Sequence, residues 1–419
     1  MLAPCHGASG ARPQPACELA DIFREYGPAY RRAHRLPYAH HKVMNAIEAC
    51  RTAALGGHRE SCAECGWERY AYNSCRNRHC PKCGALAKAQ WLEERQAELL
   101  PVPYFHNVFT LPHELNRLIL WHEDNQRAVL NLLFEAAAQT LLQFGRNNLG
   151  GTLGVTMVLH TWDQQLRAHF HVHCLITGGA LSTDGQRWHH ADPRFLFPVR
   201  ALSQVFRAKF LDGLQHLDDQ GRLCFPPPIL ECANPEDFQT LLAQLRNRDW
   251  VVYSKPPFAG PEKLLDYLGR YTHRVALSNS RLLSMDDGQV CFRYRDRKDG
   301  DSVKVATVPA DEFIHRFLQH VLPKGFQRLR HYGLLARCRK QELLPRCREL
   351  LDMPPPPPPA KKTTAQWVLL ITGIDILRCP QCGHQPLQRI ELPRSWPLRC
   401  APLAGRAAPT CAPRLEDTS

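Results

Sequence analysis

Residues 170–177 read FHVHCLIT. In an extended strand residues i and i+2 project to the same face, so His171 and His173 share one side while Val172, Cys174 and Ile176 share the other. The apolar side calls for a core. The other side presents two imidazoles, which is half of a site for a divalent ion; a third polar donor is needed to fix the ion and leave positions open for a substrate. Upstream, residues 153–162 predict a second strand, and the short polar connection predicts a β-hairpin turning near Gln164-Gln165. Such a hairpin sets His160 opposite His171 on one face. His160 is therefore the preferred third donor and Gln164 the next. An H-x-H pair also suits a polar edge strand, so its company decides.

That company is Tyr267-Leu268-Gly269-Arg270-Tyr271, in a segment that predicts a helix over 261–272. Spacing of i,i+4 puts both phenols on one helical face. A phenol with a pKa of about 10 is a weak nucleophile at neutral pH, but a metal that polarises a phosphodiester lowers the demand on it. Its attack keeps the bond energy in a 5′-phosphotyrosine link that a free 3′ hydroxyl can reseal, and two phenols can hold two DNA ends in turn. Tyr267 and Tyr271 are the candidate nucleophiles. Packing with Leu264, Leu268 and Val275 is the plainer use of either ring, but Arg270, His273 and Arg274 beside them favour a surface that meets phosphate.

Cys62-x-x-Cys65 and Cys80-x-x-Cys83, each followed by glycine, have the paired-knuckle spacing that sets four thiolates around one Zn²⁺. Cys50, His58, Cys75 and His79 lie around them and are candidates for a second zinc. Arg76, Arg78 and Lys82 are the candidate DNA-docking cations of this knot, with Arg59, Arg69 and Lys88 nearby. Farther along, Cys379, Cys382 and His384 supply half a site, with Cys400 and Cys411 as completions.

The 419 residues carry 53 Lys and Arg against 40 Asp and Glu, a formal charge of +13 that favours a polyanionic partner over a neutral metabolite. Eighteen cysteines, many in C-x-x-C pairs and with no signal segment ahead of them, point to a reducing cytoplasm with metal holding thiolates. No apolar run reaches the roughly 20 residues of a bilayer span, so no membrane role is expected. The chain divides into a disordered start (1–18), a zinc-binding domain (19–101), a catalytic domain (102–345), a Pro-rich linker (346–360) and a short Cys-containing tail (361–419). Adjacent antiparallel strands with helices between them make the fold class α+β. Expected helices lie at 41–55, 86–100, 113–144 with a break near Glu123-Asp124-Asn125, 200–217, 235–247 and 311–322. A second hairpin is expected over 290–308, around Asp299-Gly300.

The segments SCRNRHCPKC (74–83), HTWDQQLRAHFHVHCLITGG (160–179), YLGRYTHRVALSN (267–279) and KGFQRLRHYGLL (324–335) occur in an order that resembles the transposases of the insertion sequence ninety-one family, over about residues 20–340. These belong to the His-hydrophobe-His single-strand nucleases. The resemblance implies an antiparallel sheet carrying His171 and His173 as ligands of Mg²⁺ or Mn²⁺, a small helical and ribbon-like zinc domain before it, and Tyr267 and Tyr271 as paired nucleophiles. It further implies rolling-circle transposition, with single-stranded DNA at element ends and target DNA as partners. A replication initiator or relaxase-like nickase would share the chemistry; with no G-x-x-x-x-G-K-[ST] loop here, it would need a host replication helicase as partner. A non-enzymatic zinc DNA-binding regulator predicts that neither tyrosine matters, and a water-using hydrolase predicts no covalent species.

Overall fold

The computed structural model describes residues 17–225, 235–255, 269, 276–296, 299–356 and 360–394. The helices α1 (Leu19–Glu25), α2 (Gly27–Ala33) and α3 (Tyr38–Glu48) lead into strands β1 (Gly57–Ser61) and β2 (Glu68–Tyr72), then α4 (Ala85–Gln96). Next come β3 (Tyr104–Thr110), α5 (Asn116–Trp121), α6 (Glu123–Leu149), β4 (Gly151–Trp162), β5 (Ala168–Ser182), β6 (Trp188–His190), α7 (Val199–Asp219), α8 (Pro235–Arg246) and β7 (Val252–Lys255). The rest is β8 (Leu282–Asp286), β9 (Gln289–Asp296), β10 (Ser302–Pro309), α9 (Ala310–Leu318), β11 (Leu329–Gly333), α10 (Lys340–Leu350), α11 (Thr364–Thr372) and β12 (Gln388–Leu392). Among the described residues all strand pairs are antiparallel, and the class is α+β.

The central sheet runs β11-β4-β5-β3-β7, with β6 also on β5. Its two faces have different fates. Val172, Cys174 and Ile176 of β5, Phe105 and Phe109 of β3, and Val155, Met157 and Leu159 of β4 pack in one large apolar core with α6 and α7. The break expected near Glu123 falls at His122, whose Nδ1 accepts from the Asp124 amide at 3.2 Å and so caps α6. At the sheet's edge Gly333 holds φ +64°, and a Cβ there would lie 1.9 Å from the Leu153 carbonyl oxygen, so only glycine lets β11 close on β4.

A second core joins α1 to α3 with β8, β9, β10 and α9, through Phe23, Met44, Phe292, Phe313 and Phe317. The Leu19 amide donates to Asn279 Oδ1 at 3.2 Å across this join. The boundary expected at residue 101 therefore does not divide two cores. Cys17 and Glu18, assigned to the loose start, are buried in the fold. Likewise residues 346–350, expected to begin a linker, are the second half of α10, where Cys347 packs with Leu334, Leu343 and Leu344.

The zinc knot needs the largest correction. Cys62 and Cys65 do not meet Cys80 and Cys83: the thiol groups that form are Cys50 with Cys75, Cys80 and Cys83, and Cys62 with Cys65, Cys379 and Cys382. The reason is the β1–β2 hairpin, in which Ser61 pairs with Glu68 and Gly57 with Tyr72. Five residues of strand at about 3.3 Å each carry the first knuckle roughly 16 Å along β1 from its start at Gly57. The second strand then brings the chain back, so Cys75, Cys80 and Cys83 stand beside Cys50.

Candidate active site and metal centres

His160, His171 and His173 converge on the sheet face opposite the large core, with one ring nitrogen from each within 4.8 Å of the others. Register explains it: His160 of β4 is the cross-strand neighbour of His171 of β5. β5 is an interior strand, bonded on both sides, so these imidazoles are not the polar trim of an edge. His160 and His171 are buried. Ring centroids lie 4.5 Å apart for His160 and His173, and 4.9 Å for His171 and His173.

Outer partners orient two of the rings. His171 Nδ1 lies 3.0 Å from the His169 carbonyl oxygen. A carbonyl only accepts, so Nδ1 carries the proton and Nε2 keeps its lone pair for an ion. His173 Nδ1 is 2.9 Å from Nε2 of His106, a buried β3 residue. With Nδ1 donating to His106, His173 keeps the Nε2 lone pair that binding an ion requires. Burial pushes the His106 pKa down to about 3, so it stays neutral. His106 and His169 were not among the sequence candidates. His169 continues the alternation of His171 and His173, and His106 stands out as an imidazole inside the apolar stretch 104–111.

The hairpin turn behind the site is gripped from the second core. Leu166 sits there in the left-handed region at φ +62° and is fully buried; such a conformation costs a non-glycine residue roughly 1–2 kcal/mol. Its carbonyl accepts from His320 Nε2 at 3.0 Å, and His320 Nδ1 accepts from the Thr161 hydroxyl at 3.2 Å. Arg316 donates to the Gln165 carbonyl at 3.3 Å, and Arg281 to that of Gln164. Three successive turn carbonyls are thus held by residues 281–320. Trp162 stacks on His160 at 5.0 Å and meets His320 edge-on at 5.8 Å. Gln164 enters these contacts through its main chain, and the three imidazoles converge without it.

Tyr267, Tyr271, Arg270 and Arg274 lie outside the described residues. Gly269, midway between the tyrosines, is buried against α4: a Cβ on it would come 2.9 Å from Leu92 Cδ1 and 3.2 Å from Lys88 Cε. Leu92 and Trp91 of α4 in turn pack on Tyr104 and Leu175. Leu175 follows His173 by two along β5, so α4 covers the histidine face of the sheet.

In the first thiol cluster, Cys83 Sγ lies 3.5 Å from Cys50 Sγ and 3.6 Å from Cys75 Sγ. Hydrogen bonds with Cys50, Cys75 and Cys80 push the Cys83 thiol down, and those with Cys50, Cys75 and Cys83 push Cys80 up. Four thiols this close ionise together only around a cation, and the set fits structural zinc. His58 and His79 stay out of both clusters. His58 Nε2 pairs with Glu60 Oε1 at 3.0 Å, while His79 lines a small internal cavity with Trp162, His320 and Arg328, its pKa driven well down by burial. Of the cations expected to meet phosphate, Arg76 is exposed. Arg78 instead donates to the Phe326 carbonyl at 2.7 Å, and Lys82 forms a largely buried ion pair with Glu18.

Residues 154–342 match a family described as "Putative transposase", and residues 22–111 match "Transposase zinc-binding domain". The chain is 48% identical to "Putative transposase y4qJ" of Sinorhizobium fredii over 90% of its own length and 98% of the relative's. It is 30% identical to "Transposase for insertion sequence element IS801" of Pseudomonas savastanoi pv. phaseolicola, over 82% of this chain and 81% of the relative. A solved structure, "Conjugative Relaxase TrwC in complex with mutant OriT Dna", aligns at 19% identity over 26% of this chain and 44% of that chain, with a TM-score of 0.22, a likeness too slight to argue from. Among the described residues no helix is long and apolar enough to cross a membrane.

Proposed function

Because this chain belongs to the insertion sequence ninety-one family of transposases, we propose that it nicks single-stranded DNA at insertion-sequence ends through a 5′-phosphotyrosine and passes the held strand to target DNA, in rolling-circle fashion. The observation that carries this reading is the convergence of His160, His171 and His173 on an interior strand pair. The donor set fits one divalent ion, and its chemistry, when bound, is to polarise the scissile phosphate. Three imidazoles are softer donors than the carboxylates and water that Mg²⁺ favours, so Mn²⁺ is the better match of the two.

The chain's own residues do the rest. The His169 carbonyl holds the His171 ring in one tautomer, and His106 orients the ring of His173. Tyr267 or Tyr271 attacks phosphorus: the new bond is tyrosine oxygen to phosphorus, the broken one is phosphorus to the 3′ oxygen, and the phenol's proton leaves as the 3′ oxygen gains one. A free 3′ hydroxyl reverses the step. Gly269 against α4 supports this use of the segment, because α4 lies on the same sheet face as the histidines. The work takes place on DNA in the cytoplasm, with a host helicase opening the duplex.

The test is incubation of purified protein and Mn²⁺ or Mg²⁺ with labelled single-stranded element ends, followed by denaturing gels, beside Tyr267→Phe, Tyr271→Phe and the double variant. An adduct that vanishes in the double variant bears the proposal out. Cleavage without an adduct replaces it with water-driven hydrolysis, and binding without cleavage replaces it with a zinc-dependent regulator.

A further inference from the structure

The two knuckles Cys62-Ala63-Glu64-Cys65-Gly66 and Cys379-Pro380-Gln381-Cys382-Gly383 have the same backbone. In each, the first cysteine's amide bonds to the carbonyl five residues on: Cys62 to Trp67 at 2.8 Å, Cys379 to His384 at 2.9 Å. In each, the glycine amide returns to the first cysteine's carbonyl, Gly66 at 3.1 Å and Gly383 at 2.9 Å, and the glycine holds a left-handed φ of 71° or 75°. They face each other, with Cys62 and Cys382 sulfurs 3.5 Å apart and those of Cys65 and Cys379 3.6 Å apart. A tetrahedron of Zn–S bonds of about 2.3 Å has edges of about 3.8 Å. All four sulfurs lie within 4.8 Å of one another, which is room for one ion.

We propose that Cys62, Cys65, Cys379 and Cys382 bind a second structural zinc, which locks residues 360–394 onto the amino-terminal ribbon as a part of the zinc domain. Strand pairing points the same way: β12 pairs with β1 through five residues, from Gly57 with Leu392 to Ser61 with Gln388. So does charge. Glu60, 1% exposed, takes Arg389 of β12 at 2.8 Å and Arg69 of β2, so the tail supplies part of the neutralisation of a buried carboxylate. Between the proline run and the knuckle, α11 packs on α4, and Lys362 pairs with Glu93. The lock therefore also holds the helix that lies against Gly269. None of this depends on how the strand is cut.

Elemental analysis of the purified full chain tests it, with thiol alkylation under denaturing, non-reducing conditions. Two zinc ions per chain are expected from the two clusters, with all their thiols alkylatable, and one zinc in Cys379→Ser/Cys382→Ser. One zinc in the wild type, two in the variant, or missing thiols that reveal a disulfide would overturn the assignment. Should the variant not fold, a protease site inserted at Ala360 of the otherwise wild-type chain decides. After cutting, the tail fragment should co-elute with the body and separate when chelator strips the metal. Separation without chelator, or retention after full stripping, refutes the lock.

Discussion

Three imidazoles meet from within residues 160–173, while the thiols of the second cluster meet across sequence separations of 314 and 320. Both sites rest on antiparallel pairing, but they use it differently. In the histidine site a tight turn makes the pairing, and period-two alternation alone decides which side chains converge. In the second thiol cluster the pairing of β1 with β12 has no local cause; it forms only when the rest of the chain brings its two ends together. A site of the first kind should survive local damage elsewhere, and one of the second kind should come apart as a unit.

The largest effect should follow from His160→Ala. Single-turnover cleavage should fall by more than about 100-fold, beyond the range typical of outer-sphere partners, while far-UV circular dichroism and zinc content hold. Loss of zinc in this variant would join two sites that the comparison keeps apart. Next, His106→Ala should weaken metal affinity and cleavage by about 10- to 100-fold, with His106→Gln recovering part of it by restoring a partner for His173 Nδ1. An unchanged Mn²⁺ titration would remove His106 from the positioning role.

A smaller, graded effect should come from pH. Burial pushes His320, His331 and His40 down to about 4 each. Above about pH 6.5 neither state binds these protons. Below it the unfolded chain takes them up and the native rings do not, so stability falls with pH until about 4, where the native rings also protonate. Urea midpoints measured across that window should drop, and His320→Gln should flatten the slope. A midpoint independent of pH would contradict the burial of these rings. Smallest is Gly269→Ala. Its Cβ meets the far end of Leu92, which can move, so the expected loss is a few-fold in kcat with little change in melting temperature. Leu92→Ala in the same chain should restore it.

Much of the central domain was readable before the structure. The alternation of 170–177 and the polar turn at 164–165 were enough to foresee the β4–β5 hairpin and the His160–His171 pairing. Strong apolar periodicity foretold α6 and α7, which are long enough for the signal to accumulate. The ribbon strands β1, β2 and β12 were invisible because each is five residues long and mostly half-exposed or exposed, with no apolar face to announce it. For the same reason Cys62 and Cys65 were matched with the nearest knuckle in sequence instead of the one facing them.

What the amino-acid sequence determined alone is the local chemistry: which residue types can hold a metal, and which share a strand face, because the two-residue period is a property of the extended backbone itself. Tertiary structure decided the partners. It set His106 behind His173, gave Arg78 and Lys82 to internal carbonyl and carboxylate contacts, and joined Cys379 and Cys382 to Cys62 and Cys65. Side chains far apart in sequence meet only after chain entropy is overcome by the burial of whole elements, and no short window of residues records that balance.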